Sequence, residues 1–387
     1  MTFESAEKAA KRMGVTIRAI QKWAKEGRIP YAYKEGRDWK IPVSAKKPGE
    51  VRFGETRYHE PMPIVHIFAP GKAMDYIESI EDPDDRAMAL CEYHYMRGDF
   101  KECTIIAEPY MDSENPVLRS TSALFCVFSN LCRGHLVKSH HAAAVIHNTL
   151  EEVTGGNYPK ETFASCLLCA KFLKVQLHLP LDDLKKMEHQ MRYLDEGVRL
   201  MACYLLAHIA YLEKDYERAL GIAETALAFA SEDILVPQIY LGIVATMALV
   251  NLKRIEDARE ALHYAWHAAK QDGFFVPFVE HYNLLQGMVE KEFKNVYPQD
   301  LEKIRQVAKD FNESWYKVYN EKSNYKVAEN LTPTEFTVAM LYSRNWRAKE
   351  IAEHMELSER TIMNYITLVY DKLQINSKKE LCGFMLR

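Results

Sequence analysis

LTPTEFTVAMLYSRNWRAKEIAEHMELSERTIMNYITLVYDKLQINSKKELCGFMLR, residues Leu331 to Arg387, carries the start and stop signals of several short helices. Thr332 is a capping residue, Pro333 suits the first helical position, and Glu335, three residues after Thr332, completes a capping box. A second helix is expected over Ala348 to Met355, with Ile351 and Ala352 inward and Lys349 near its amino end, where a phosphate would sit. From Ser358 to Leu373 the apolar residues Ile362, Ile366, Val369 and Leu373 recur at steps of four, three and four. At about 100° per residue these make one buried stripe. A last helix is expected at about Ser377 to Leu386.

Opposite the stripe stand Arg360, Asn364, Thr367 and Asp371, short or forked polar groups suited to base edges or phosphates from a helix in the major groove. The stretch resembles the LuxR-type helix-turn-helix. Leu331, Thr332, Glu335, Lys349, Glu350, Ile351, Ala352, Ser358, Thr361, Tyr370, Lys372 and Leu373 occupy positions where that family has the same residue types. The resemblance implies a four-helix domain binding double-stranded DNA, with Lys349, Ser358, Arg360, Thr361, Met363, Asn364, Tyr365, Thr367 and Lys372 toward the DNA. It also implies a homodimer joined through the last helix, on paired half-sites, and leans toward activation of transcription. Met363 stands where the family usually has a basic groove-facing residue, Tyr365 where it often has His, and Asp371 replaces a common basic residue. Arg360 and Lys372 are then this helix's cations. Glu356 takes a turn position that is commonly Gly, where left-handed backbone costs roughly 1 kcal/mol without it.

The net charge of −4 conceals a gradient. Residues 1–50 carry +6, the last 57 carry +1 and the middle carries −11. A basic head and an acidic body separate a nucleic-acid end from a body with another task. With 387 residues, 48% of them hydrophobic, the chain has room for two or three folded domains. No charged-then-apolar leader opens it, and its longest apolar run, Leu241 to Val250, is about half a membrane span. The expected compartment is the cytoplasm, and the eight cysteines, without a repeated close spacing, are expected to be reduced.

Near the amino end, Ala6, Ala9, Ala10 and Met13 share one helical face, Gly14 breaks the helix and Thr16 caps a second one reaching about Glu26. On that second helix Ile17, Ile20 and Ala24 point inward, while Arg18, Gln21, Lys22 and Lys25 fall within about one third of the circumference. Arg28 to Tyr33 and Trp39 to Val43 read as two strands around the turn Lys34 to Arg37. Residues 4–46 resemble excisionase-type and MerR-like winged helices, through Trp23, Gly27, Arg28, Ile29, Pro30, Gly36, Arg37, Trp39, Ile41 and Pro42. That resemblance puts Arg18, Gln21, Lys22 and Lys25 in a major groove and Lys34, Arg37 and Lys40 on the backbone.

Pro48, Pro61, Pro63 and Pro70 with Gly49, Gly54 and Gly71 mark an extended linker, whose apolar stretch Ile64 to Phe68 is suited to docking. From Lys72 to about Lys326 the pattern is amphipathic helices with short loops. YHYMRGDFKEC at 93–103, YLEKDYERAL at 211–220 and LVNLKRIEDAREAL at 249–262 share one grammar. An apolar helix ends, a polar turn follows, then an aromatic or Ile with a small residue three further on: Phe100/Cys103, Tyr216/Ala219 and Ile255/Ala258. The last two anchors are 39 residues apart, with weaker copies near Lys138 to Ala143 and Leu181 to Leu184. Such a period implies stacked helical hairpins. It resembles tetratricopeptide repeats of the longer, irregular kind, whose concave groove would take a small-molecule or peptide effector.

The expected architecture is mainly α and multi-domain: a winged helix-turn-helix at 1–47, a linker at 48–71, a repeat solenoid serving as sensor at 72–326, and the LuxR-type domain at 327–387. The expected function is sequence-specific regulation of transcription; the alternative is a peptide- or protein-binding adaptor whose terminal domains make protein contacts. Cys166 and Cys169 lie in the apolar helix FASCLLCAKFL and read as packing. His263 and His267 are one turn apart without a third ligand, and His140, His141 and His147 likewise read as surface or packing residues. With no phosphate loop and no catalytic constellation, no cofactor, metal or enzymatic activity is expected.

Overall fold

The computed structural model describes residues 3–25, 29, 32–36, 38–43, 59–66, 68–179, 184–231, 233–322, 328 and 330–385. The chain is mainly α and divides into two compact units, Met1–Tyr58 and His59–Arg387.

In the first unit Ser5 caps α1 (Ala6–Met13) by accepting the Lys8 N–H, Gly14 ends it in left-handed backbone, and the Thr16 hydroxyl accepts the Ala19 N–H at the start of α2 (Ile17–Lys25). Ala9, Ala10, Met13, Ile20, Ala24 and Ile41 form a small core of their own. The strands differ from the sequence expectation. β2 (Tyr33–Glu35) and β3 (Asp38–Pro42) pair directly across Gly36, and β1 (Phe3–Ser5) joins the far side of β3 to give the order β1-β3-β2. Three residues are too few for alternation to announce β1. Gly27, Arg28, Pro30 and Arg37 lie outside the described residues.

The second unit opens with α3 (Ala73–Ser79) and continues as five helix pairs. These are α4 and α5 (Pro83–Met96, Phe100–Ala107), α6 and α7 (Pro116–Cys132, Leu136–Gly155), α8 and α9 (Lys160–Gln176, Leu184–Gln190), α10 and α11 (Glu196–Leu212, Tyr216–Phe229), and α12 and α13 (Leu235–Asn251, Ile255–Lys270). The first helix of every pair ends alike, on a left-handed residue: Gly98, Gly134, His178, Lys214 or Lys253. The next N–H then reaches back five residues, Asp99 to His94, His135 to Asn130, Leu179 to Lys174, Asp215 to Ala210 and Arg254 to Leu249, at 2.8–2.9 Å. This closure satisfies carbonyls that a helix end otherwise leaves open.

Phe100, Tyr216 and Ile255, the expected anchors, each begin a second helix, and the small Cys103, Ala219 and Ala258 are fully buried. The equivalent positions in α7 are Leu136 and Ser139, slightly ahead of the expected copy at Lys138 to Ala143, because α7 begins two residues earlier. The copy at Leu181 to Leu184 falls mostly outside the described residues.

Two segments close the inner face of these pairs. The first is part of the expected linker: Met62, Ile64, Val65 and Phe68 are buried, the Ile64 N–H donates to Glu92 at 2.9 Å, and the Phe68 N–H donates to the Asp233 carbonyl at 3.0 Å. Gly197 is required there, since a Cβ would stand 1.7 Å from the Val65 carbonyl oxygen. The second segment follows α13 and includes α14 (Val276–Glu280). Asp272 accepts the N–H groups of Gly71 and Ala73, tying the two segments together. Glu280 receives hydrogen bonds from Tyr95 of α4, Gln176 of α8 and Tyr240 of α12, and His281 meets Tyr204 of α10. The space left between Met62, Tyr95, Phe128, Phe172 and Tyr240 is about 20 Å³, room for about one water. The inner face expected to receive an effector is therefore filled by the chain itself. α15 (Met288–Phe293) and the long α16 (Pro298–Lys322) complete the body, with α16 packed on α6 and α14.

Burial keeps this centre uncharged. It lowers His178 to about 3 and His281 to about 4, lowers His208 as well, and raises Glu280 to about 7 and Glu92 to about 8. Unfolding returns the imidazoles to titration near pH 6.5, so the unfolded chain takes up protons the fold refuses, and stability falls as pH drops from about 6.5 toward 4. The carboxyls act oppositely: the unfolded chain releases near pH 4.5 protons that Glu280 and Glu92 keep until about 7 and about 8. Stability therefore also falls as pH rises through that window.

Thermal unfolding across pH checks this: Glu92→Gln, which keeps the acceptor for Ile64, should lose less stability than the parent as pH rises from 4.5 to about 8. Gly197→Ala should destabilise by about 1–3 kcal/mol or more through the clash with Val65. Gly221→Ala, on α11 where a Cβ meets nothing within 4 Å, should stabilise by roughly 0.5–1 kcal/mol; equal melting shifts for the two variants would contradict this packing.

Candidate nucleic-acid interface

The C-terminal helices are α17 (Pro333–Ser343), α18 (Ala348–Met355), α19 (Glu359–Leu373) and α20 (Lys378–Phe384). The capping box at Thr332 and Glu335 forms, with N···O distances of 2.8 and 3.3 Å. Ser358 caps α19 by accepting the Thr361 N–H at 3.0 Å, and the two hydroxyls meet at 2.7 Å. Ile362, Ile366 and Val369 are buried against α17 and α18, and Leu373 is half-buried.

Turning that stripe inward leaves Arg360, Met363, Asn364 and Thr367 exposed on the N-terminal part of α19, with Lys349 exposed at the start of α18. Sequence reasoning does not single out Arg347, exposed beside Lys349, because its helical role as cap residue hides it. Ser358 is exposed, Thr361 and Tyr365 are half-buried, and Asp371 is exposed toward the C-terminal end. Lys372 departs from its expected role. Its ammonium binds Glu335 at 2.6 and 2.9 Å, so the cation serves the capping box of α17 instead of pointing toward a phosphate. Arg360 makes no ion pair among the described residues.

This domain is docked on the body by residues that no local pattern reveals. The Arg344 guanidinium, at the end of α17, donates to Tyr211 at 2.5 Å and to Asn251 at 2.9 Å and lies over the rings of Tyr211 and Tyr216. Lys253, the left-handed residue of the last pair's turn, binds Glu350 at 2.8 Å and covers Trp346. His354, buried in α18, donates to the Gln286 carbonyl at 2.8 Å. On α20, Leu381 and Met385 beyond it are buried within the chain, while Lys379 and Glu380 stay exposed.

In the first unit, Arg18, Gln21, Lys22 and Lys25 are all exposed on α2, opposite buried Ile20 and Ala24. Lys34 is exposed on β2, whereas Lys40 is paired with Glu35 at 2.9 Å, which raises its pKa. Arg37 lies outside the described residues.

Other clusters are engaged structurally. Cys166 and Cys169 are buried, and burial raises both thiols, Cys166 to about 11, away from the reactive thiolate. His263 pairs with Glu292 at 3.0 Å and exposed His147 with Glu151 at 3.3 Å; His141 and His267 are exposed and His140 is half-buried. Docking of residue 59 brings His59, Asp82 and Asp85 within 4.8 Å, a grouping too distant in sequence to foresee. There Asp85 binds His59 at 2.7 Å and Asp82 caps α4. Among the described residues no helix is long and apolar enough to cross a membrane.

Residues 329–385 match the model of the family described as bacterial regulatory proteins, luxR family. The C-terminal domain is thus a LuxR-type helix-turn-helix, which supports a transcriptional regulator with a DNA-binding end. No curated protein matches the chain.

Glu356 holds φ 56°, the left-handed conformation expected at this turn, while its side chain is exposed. Glu356→Gly should raise stability by about 1 kcal/mol, read as a higher melting temperature without altered DNA binding.

Proposed function

We propose that this chain is a sequence-specific DNA-binding regulator that reads the major groove with the N-terminal half of α19. The observation carrying the proposal is the exposed arc of Arg360, Asn364 and Thr367 opposite a buried stripe, in a domain resembling the luxR family. Lys349, Arg347 and Ser358 lie at helix starts, where backbone N–H groups and a cation hold phosphate. With Lys372 committed to Glu335, the domain's own phosphate grip is weak, and the basic first unit, a winged helix in this reading, supplies a second grip through Arg18, Gln21, Lys22 and Lys25.

Two copies acting on paired half-sites fit this mode of reading, with activation as the expected sign. The body serves as the sensor. Because its inner face is filled, we assign the effector to the cleft of about 590 Å³ between α16 and the start of α17, which includes Tyr282, Asn283, Arg305, Lys309 and Asn330. A ligand there touches body and reader together, which gives it the differential contact that a population shift requires.

Duplexes selected from a random pool by the full chain supply the test, with affinity followed against salt. The double variant Arg360→Ala/Asn364→Ala should lose roughly 10- to 100-fold on the selected duplex and much less on random DNA. Arg18→Ala/Lys22→Ala should weaken both equally and lower the salt slope by about 2. If neither pair changes binding, the reading is wrong.

A further inference from the structure

We propose that Met363 and Thr367 read thymine by its methyl group. This rests on the groove-reading role of α19 and names what that face selects. Met363 is 49% exposed in the middle of an otherwise polar face, and Thr367 follows it by one helical turn. The Thr367 hydroxyl is turned back onto the Met363 carbonyl at 3.1 Å. That bond spends its proton on the backbone, so the side chain's remaining contribution to the surface is its methyl and the acceptor lone pairs of its oxygen, with no donor left. Met363 and Thr367 together form an apolar strip along the helix, beside the polar pair Arg360 and Asn364.

The major-groove edges of the four base pairs offer donors, acceptors and one apolar feature, the C5-methyl of thymine. An apolar strip that enters the groove beside an arginine and an asparagine has that methyl as its complement. The helix therefore divides its labour. Arg360 suits the acceptor pair of guanine and Asn364 the donor–acceptor pair of adenine, while Met363 with Thr367 recognises thymine on the neighbouring positions. Leu368 is also exposed, at 46%, but lies round the helix from the strip and serves as a control.

The experiment uses the full chain and a duplex it selects from a random pool, in which each thymine is replaced singly by deoxyuridine. This removes the methyl and keeps the base pair. At one or two positions the parent should bind about fourfold more weakly, the loss expected for one buried methyl-sized group. Met363→Ala should be indifferent to the replacement at one such position, Thr367→Ser, which keeps the hydroxyl and deletes the methyl, should show reduced sensitivity, and Leu368→Ala should behave as the parent. Tolerance of deoxyuridine at every position by the parent overturns the proposal, as does undiminished sensitivity in Met363→Ala. Either result, with Arg360→Ala/Asn364→Ala still impaired, leaves DNA reading by α19 intact. Failure of that double variant to change binding would instead remove the function on which the proposal rests.

Discussion

The body is organised around one carboxyl and one imidazole, Glu280 and His281, set in an aromatic interior. Glu280 and His281 stand side by side on the segment that fills the inner face, and between them they engage Tyr95, Gln176, Tyr204 and Tyr240 from four different first helices. A buried polar group without a partner is costly, whereas a satisfied one fixes geometry. The network therefore sets the angle at which four helix pairs converge. Hydrophobic contact alone would leave Phe128, Phe172 and their neighbours free to slide; the hydrogen bonds permit one registration.

The C-terminal domain meets the body at Gln286 and at the turns of the last two helix pairs. Lys214 and Lys253 hold left-handed backbone at those turns, and the surface around them receives Arg344 and Glu350. Arg344 is held by hydroxyl, amide and ring faces, with no carboxylate among those partners. A cation held by neutral groups is fixed by geometry more than by net attraction, so modest movement of the pairs changes how well it fits. The helix pairs and the C-terminal domain belong to one compact unit, His59–Arg387.

The reader itself is sparing with charge. Lys372 neutralises Glu335 and Asp371 sits near the end of the reading helix, while Lys349 and Arg360 remain exposed. Affinity from phosphates scales with the number neutralised, and few cations are left exposed here to do so. The first unit, with its four exposed amide or basic side chains on α2, holds the complementary chemistry.

Local rules were enough for the helix-turn-helix: caps at Thr332 and Ser358, a stripe at Ile362, Ile366 and Val369, and a left-handed turn at Glu356 are all decided within a few residues of one another. The same holds for the anchors Phe100, Tyr216 and Ile255, because a helix end and a small residue a turn later are local signals. The sequence by itself thus determined the helices of the C-terminal domain, the stripe α19 buries and the residues of α19 that face outward. On α2 it did less, since Ile17, expected to point inward, is exposed and only Ile20 and Ala24 are buried. Tertiary structure alone decided three things. The linker's second half became a wall of the body because Gly197 leaves room for Val65. The inner face closed because Glu280 and His281 find partners contributed by distant helices. Lys372 pairs with Glu335 because folding brings the two side by side. Each is a contact between residues far apart in the chain, and periodicity carries no record of such distances.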